Sequence, residues 1–254
     1  MRHLRALLLT NLKASLAQRG AFWARAVFMA LNNGIMLAIW LLFFLRYDSV
    51  RGWRAADTLS IYGVCATAFG LAVVLGHGVN DLARRIHEGG LDALLTQPKD
   101  VLLQCVGSKS EASGWGDLFT GIVLLGVGGH LTPAGIPICL VTAVSGAVIF
   151  LASMVLFHSV AFWLGDTTVV SRQAVHFLLL FSLYPSTIFG GWLKLLLFTA
   201  LPAGFIGYLP VDLLHRFSWG TLLAVAGAAV AYAGIAVAVF RFGLRRYQSG
   251  SRFA

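Results

Sequence analysis

The run Ala26-Val27-Phe28-Met29-Ala30-Leu31-Asn32-Asn33-Gly34-Ile35-Met36-Leu37-Ala38-Ile39-Trp40-Leu41-Leu42-Phe43-Phe44-Leu45 holds no charged residue. A helix needs about 20 predominantly apolar residues to cross the hydrocarbon core of a bilayer, and this run supplies them. Four further segments read the same way: Thr58 to Val79, Pro133 to Leu164, Gln173 to Gly190 and Phe217 to Phe240. Pro133 to Leu164 exceeds the requirement, so it tilts or extends beyond the lipid. A sixth segment, from about Ala112 to Gly129, is diluted by Asp117 and several glycines. It is counted as a span because the charge pattern requires it.

Composition agrees with that count. Of 254 residues 58% are hydrophobic and 11% charged, and mean hydropathy is +0.82, whereas a soluble domain is about 25% charged. The chain reads as an all-α polytopic membrane protein. No repeat or low-complexity linker divides it, so residues 1–254 form a single transmembrane domain. The net charge of +9 does not point to nucleic acid, since the basic residues sit at the ends of apolar segments, where lipid headgroups and the positive-inside rule explain them. Cys65, Cys105 and Cys139 are too scattered for a zinc site or a disulfide framework and read as small buried hydrophobes.

The distribution of Lys and Arg sets the orientation. With six spans, the N-terminal stretch, the Asn80–Glu111 loop, the Gly165–Arg172 loop and the C-terminal tail carry fourteen of the nineteen; Arg46, Arg51, Arg54, Lys194 and Arg216 face the other side. That bias puts both termini in the cytoplasm. Gly191 to Arg216 is apolar enough to enter lipid but is interrupted by Pro202, Gly204, Gly207 and Pro210. A complete seventh span would invert the C-terminal charges, so the segment reads as a re-entrant pair of short helices on the outer side, its irregular backbone buried in protein or facing water. At the N-terminus, Leu4, Leu7, Leu8, Leu12 and Leu16 alternate with Arg2, Arg5, Lys13 and Arg19. This is the pattern of an amphipathic helix in the cytoplasmic interface, and it is too interrupted for a cleavable signal peptide.

Catalytic patterns are missing. Gly107-Ser108-Lys109-Ser110 comes nearest to a phosphate-cradling loop, but Ser108 precedes the lysine and Leu103 stands where the first glycine belongs. No GxSxG, HExxH or paired intramembrane carboxylate occurs. Polar groups within the spans are candidates for a substrate path: Asn32, Asn33, His158, His176 and Tyr184. For the histidines the alternative is a hydrogen bond to a neighbouring helix, and for the asparagines it is helix–helix adhesion. Gly227, Ala231 and Gly234 make a small-residue stripe in the last span, read first as packing inside the subunit and second as a dimer seam.

The most informative polar segment follows the second span: Glu88-Gly89-Gly90-Leu91-Asp92-Ala93-Leu94-Leu95-Thr96-Gln97-Pro98. Gly89-Gly90 and Pro98 bracket a short helix whose Leu91, Leu94 and Leu95 form an apolar face flanked by Glu88 and Asp92. On the cytoplasmic side, such a segment is where a soluble partner can push.

With Tyr184-Pro185, Phe198-Thr199-Ala200-Leu201-Pro202-Ala203 and Tyr208-Leu209-Pro210, this segment makes the chain resemble the membrane permease subunit of a type 2 ABC exporter (ABC-2), in the bacterial six-span branch. The resemblance implies a dimer of permeases on two ABC ATPase subunits in the bacterial plasma (inner) membrane, the second permease being a different chain or another copy. It implies an N-terminal interfacial helix and a coupling helix made by Glu88, Gly89, Gly90, Leu91, Asp92, Leu94, Leu95 and Gln97 in the ATPase groove. ATP and Mg would sit on the ATPase, with no cofactor or metal on this chain, which is then a transport subunit and not an enzyme. The solute would be amphiphilic or hydrophobic. The family pattern is departed from at Val106 to Gly116, which is richer in Ser, Gly and charge than the start of a third span should be. The competing reading is a non-transporting assembly or binding subunit of a larger membrane complex. Fusing to Ala254 a reporter active only outside the cytoplasm is expected to give no signal; a strong signal overturns the orientation.

Overall fold

The charge-free runs fold as the longest helices. The structure, a computed structural model, describes residues 10, 11, 13, 17–49, 52–184 and 188–249. In chain order the helices are α1 (Arg19–Arg46), α2 (Ala55–Gly76), α3 (Leu82–His87), α4 (Asp92–Leu95), α5 (Val101–Val106), α6 (Ser113–Val127), α7 (Gly135–Ser159), α8 (Ala161–Leu164), α9 (Thr168–Leu183), α10 (Gly191–Leu196), α11 (Leu209–His215) and α12 (Trp219–Leu244). Among the described residues there is no strand. The residues of the expected N-terminal interfacial helix, from Leu4 to Leu16, lie almost wholly outside the described set, as does Pro185.

Four helical stretches are long and apolar enough to cross a membrane: α1, α2 continued through a 3-10 turn and α3 to His87, α7 with α8, and α12. Helices α6 and α9 have 15 and 16 residues, about 22–24 Å at 1.5 Å per residue, against about 30 Å of hydrocarbon. Helix α9 starts at Thr168, ahead of the expected Gln173, because Asp166 Oδ1 accepts from the Thr168 N–H at 3.0 Å. It stops at Leu183, where Tyr184 turns to extended backbone next to a proline that disfavours helix in its predecessor.

Helix α2 is the central column: α6, α7, α9 and α11 all touch it, while α1 leans on α6 and α12 on α7. Small residues allow this. A Cβ on Gly70 would lie 2.6 Å from the Leu118 nitrogen and 2.7 Å from the Gly114 oxygen, and one on Gly121 would be 2.8 Å from the Gly63 oxygen. The two helices therefore meet backbone to backbone, the close approach that drives packing in lipid. The stripe in the last span does something else: Gly227 and Gly234 face open space, and both are exposed. Packing inside the subunit is not what that stripe does: the buried side of α12 is instead the one carrying Val225, Ala228, Ala229 and Ala236, and α12 packs on α7.

The interrupted stretch before α12 folds as a helical hairpin. Helix α10 turns back at Leu197, whose carbonyl accepts from the Gly204 N–H at 2.9 Å, and a π-helical turn from Gly204 to Tyr208 leads into α11. Neither arm reaches the roughly 30 Å of a span. Leu197, Ala203, Ile206 and Leu213 are fully buried, and the Tyr208 hydroxyl donates to the Phe181 carbonyl at 2.6 Å. The irregular backbone is thus enclosed by protein, as a low-dielectric setting demands. Gly70→Ala is expected to lower the thermal unfolding midpoint of the detergent-solubilised protein by an amount equivalent to about 1–3 kcal/mol, whereas Gly227→Ala, with open space around it, is expected not to lower it and to raise it by up to about 1 kcal/mol in equivalent stability.

Candidate coupling surface and buried polar groups

The segment after α3, expected to couple to a partner, begins with a helix stop. Gly89 has φ +77°, a conformation open to glycine at little cost, and the Gly90 N–H donates to the Arg85 carbonyl at 2.8 Å. This six-to-one closure is a Schellman turn. It swings the chain so that Leu91 tucks beneath the column with Leu82, Ile86, Cys105 and Phe240. Only one helical turn follows, Asp92–Leu95, before Asp100 starts α5 by accepting from the Leu103 N–H at 3.0 Å. Arg241 approaches Asp100 at 3.7 Å, linking α5 to the end of α12.

The structure redistributes the expected docking face. Leu91 is 0% exposed, Leu94 packs partly against the same core, and Leu95 is 45% exposed. Leu91 is therefore the root of the segment and not part of an outward face, because the Schellman turn points it at the bundle. Asp92 also turns inward: it accepts from the Tyr247 hydroxyl at 2.8 Å and from the Ser249 hydroxyl at 2.7 Å. These bonds tie the loop to the tail beyond α12, and Phe162 holds the Tyr247 ring edge-on at 6.5 Å. Burial, with the bond to the Asp92 carboxylate, pushes the Tyr247 phenol up to about 12. Glu88, Ala93, Leu95, Thr96 and Gln97 remain exposed and make the outward surface.

The five polar candidates within the helices are not brought together. His158 is fully buried; its Nδ1 lies 2.8 Å from the Met154 carbonyl, and its Nε2 has no hydrogen-bond partner among the described residues. Asn33 donates to Asp117 Oδ1 at 2.7 Å across α1 and α6, while Asn32 is exposed one residue away. Asp117 is 3% exposed, and its Oδ2 has no hydrogen-bond partner among the described residues. Tyr184 meets the Trp40 ring edge at 5.7 Å at the opposite end of the bundle. His176 lines a cavity of about 460 Å³ between α9 and the lower end of α2. No cluster of three His, Cys, Asp or Glu fit for a metal occurs among the described residues.

Sequence reading passed over Asp117 as a dilution of a span, although a carboxylate in an apolar helix is itself a signal of function or specific adhesion. It had no means of finding the Tyr247–Asp92 bond, whose partners are 155 residues apart.

A family model described as ABC-2 family transporter protein matches residues 30–251, from the first apolar helix to the tail. No curated protein and no solved structure matches the chain.

The tie between loop and tail yields a direct test. Tyr247→Phe removes the phenol's bond to Asp92, worth about 1 kcal/mol, and is expected to speed amide exchange across residues 89–99 without lowering the amount of folded protein. The bond needs a protonated phenol. The raised value means the folded state holds that proton more tightly, so the tie is intact below pH 10 and is lost as pH rises through about 12; in the wild type, the protection of residues 89–99 relative to their base-catalysed intrinsic exchange should fall over that window, and in Tyr247→Phe it should start lower and change less.

Proposed function

The chain belongs to the ABC-2 family of transporter proteins as a multi-pass membrane permease, and on that premise we propose that it is the membrane half of an ATP-driven exporter of an amphiphilic or hydrophobic solute. Helices α1, α2, α6, α7, α9 and α12 serve as six spans with both termini in the cytoplasm of a bacterial plasma membrane. The two short ones are matched by local thinning or by protein neighbours. The α10–α11 hairpin re-enters from the outer side. ATP and Mg bind to separate ATPase chains, and a second permease, identical or different, completes the pore. ATP-driven closure of the ATPases rocks the two permeases against each other.

The observation carrying this reading is the geometry of residues 82–97. A stiff helical column, Ala55–His87, ends in a tight turn whose root, Leu91, is locked in the core while its tip, Leu95, stands exposed. A partner gripping the tip displaces the root and with it the column that most other helices touch. The docking residues are Glu88, Leu95 and Gln97, with Leu94 half-buried behind them; Gly89, Gly90, Leu91 and Asp92 shape and anchor the turn. The tip therefore works as a lever.

Leu95→Asp is expected to place an unpaired charge in the joint with an ATPase encoded beside this gene, costing several kcal/mol. The variant should still insert and fold, because Leu95 touches little of its own chain, but should lose co-purification with the ATPase. Unchanged co-purification and ATP-dependent transport would overturn the coupling assignment. For the hairpin, cysteines at Lys194 and Arg216 should both react with an impermeant thiol reagent applied outside; labelling from opposite faces would make the segment a seventh span.

A further inference from the structure

We propose that the cavity between the lower end of α2 and α9 is a binding site for an anionic amphiphile, its acidic head held by Lys109 and Arg172 and its tail lying between the two helices. The inference rests on the permease reading and names the class of solute that such a permease would take. The cavity is about 460 Å³, within the range of about 300–1,000 Å³ of small-ligand sites.

Its lining changes character from one end to the other. At the end near α3, Lys109, Arg172, His77 and His176 converge from three separate stretches of chain. Farther along, the walls are Phe69 on α2 and Val175 and Leu179 on α9. Phe69 lies eight residues from His77, and Leu179 seven from Arg172, about 10–12 Å along each helix axis. On α9 the spacing of Arg172, Val175, His176 and Leu179 puts all four on one face. The cavity is thus polar at its head and apolar at its depth.

The charges facing it favour an anion. Asp81 is the one carboxylate in the lining, and its Oδ1 is already engaged by Arg84 at 3.2 Å, with Arg172 only at 3.9 Å. Glu111, just behind, is taken by Arg25 at 2.7 Å and stands 4.0 Å from His77 Nε2. Among the described residues no carboxylate pairs with Lys109, and the side chain is exposed. Arg172, also exposed, offers a planar fork suited to two oxygens of a phosphate or carboxylate, and Lys109 a mobile point charge. A cationic or uncharged head would leave Lys109 unanswered and Arg172 with only the 3.9 Å approach of Asp81.

The test uses the full chain in dodecyl maltoside, without any ATPase, titrated with dodecyl phosphate and read by native mass spectrometry as the fraction carrying one adduct. Because no ATPase is involved, a negative result here leaves the docking experiment at Leu95 standing. Lys109→Gln with Arg172→Gln is expected to weaken binding by about tenfold or more, and Leu179→Trp, which fills the apolar end without touching charge, by a similar factor. The charge-keeping exchange Lys109→Arg with Arg172→Lys should bind much as the wild type does, which separates loss of charge from loss of fold. Inorganic phosphate alone should give no adduct at the same concentrations. Wild-type affinity in the double Gln variant, or equal binding of dodecyltrimethylammonium, overturns the proposal. Adding phosphatidylglycerol distinguishes the sources of the acidic head: displacement of dodecyl phosphate assigns the site to a bilayer lipid, and persistence assigns it to a free amphiphile, both consistent with the anionic site.

Discussion

The close contact between α2 and α6 governs the rest of the molecule. Lipid gives apolar side chains no reason to prefer one another over acyl chains, so helices in a membrane adhere through fit and through polar contacts. At Gly70 and Gly121 the fit is backbone against backbone, with no space for a methyl group. Because α6 sits so close, α2 still has surface for α7, α9 and the α10–α11 hairpin. A single column that touches nearly everything is also a single column through which a displacement at one end is felt throughout.

That column explains the division of labour in residues 82–97. An apolar patch presented wholly to solvent would be a liability in an unpartnered subunit, and one wholly buried would give a partner nothing to hold. Gly89 resolves the conflict by turning the chain sharply enough that Leu91 goes inward while Leu95 goes outward. The tail then closes over the inner side, with Tyr247 and Ser249 on Asp92, so the loop is braced by the last helix as well as by the second.

Polar groups are sorted by how they are satisfied. His158 Nδ1 is held by its own helix, while its Nε2 is left without a partner among the described residues. Asn33 and Asp117 glue α1 to α6 at a point where α1 otherwise has little of its surface covered. The groups left facing a cavity, Lys109, Arg172, His77 and His176, lie toward one end of the bundle, where Lys109, Arg172 and His176 are exposed.

Sequence is enough to make the chain an all-helical membrane protein, to set where its main helices run and to break the stretch before the last helix, because apolar length, charge bias and proline are local properties that lipid reads directly. It also marked the turn at Gly89-Gly90, since only glycine adopts that backbone at low cost. Tertiary structure alone decided which leucine faces in and which faces out, that Asp92 belongs to the tail, that the tight small-residue seam lies between α2 and α6 while the last-helix stripe stands open, and that Lys109 and Arg172 share a cavity with Leu179. Each of these depends on contacts between residues far apart in the chain, and the direction of a side chain on a one-turn helix is set by what its neighbours leave uncovered, which periodicity over four residues does not encode.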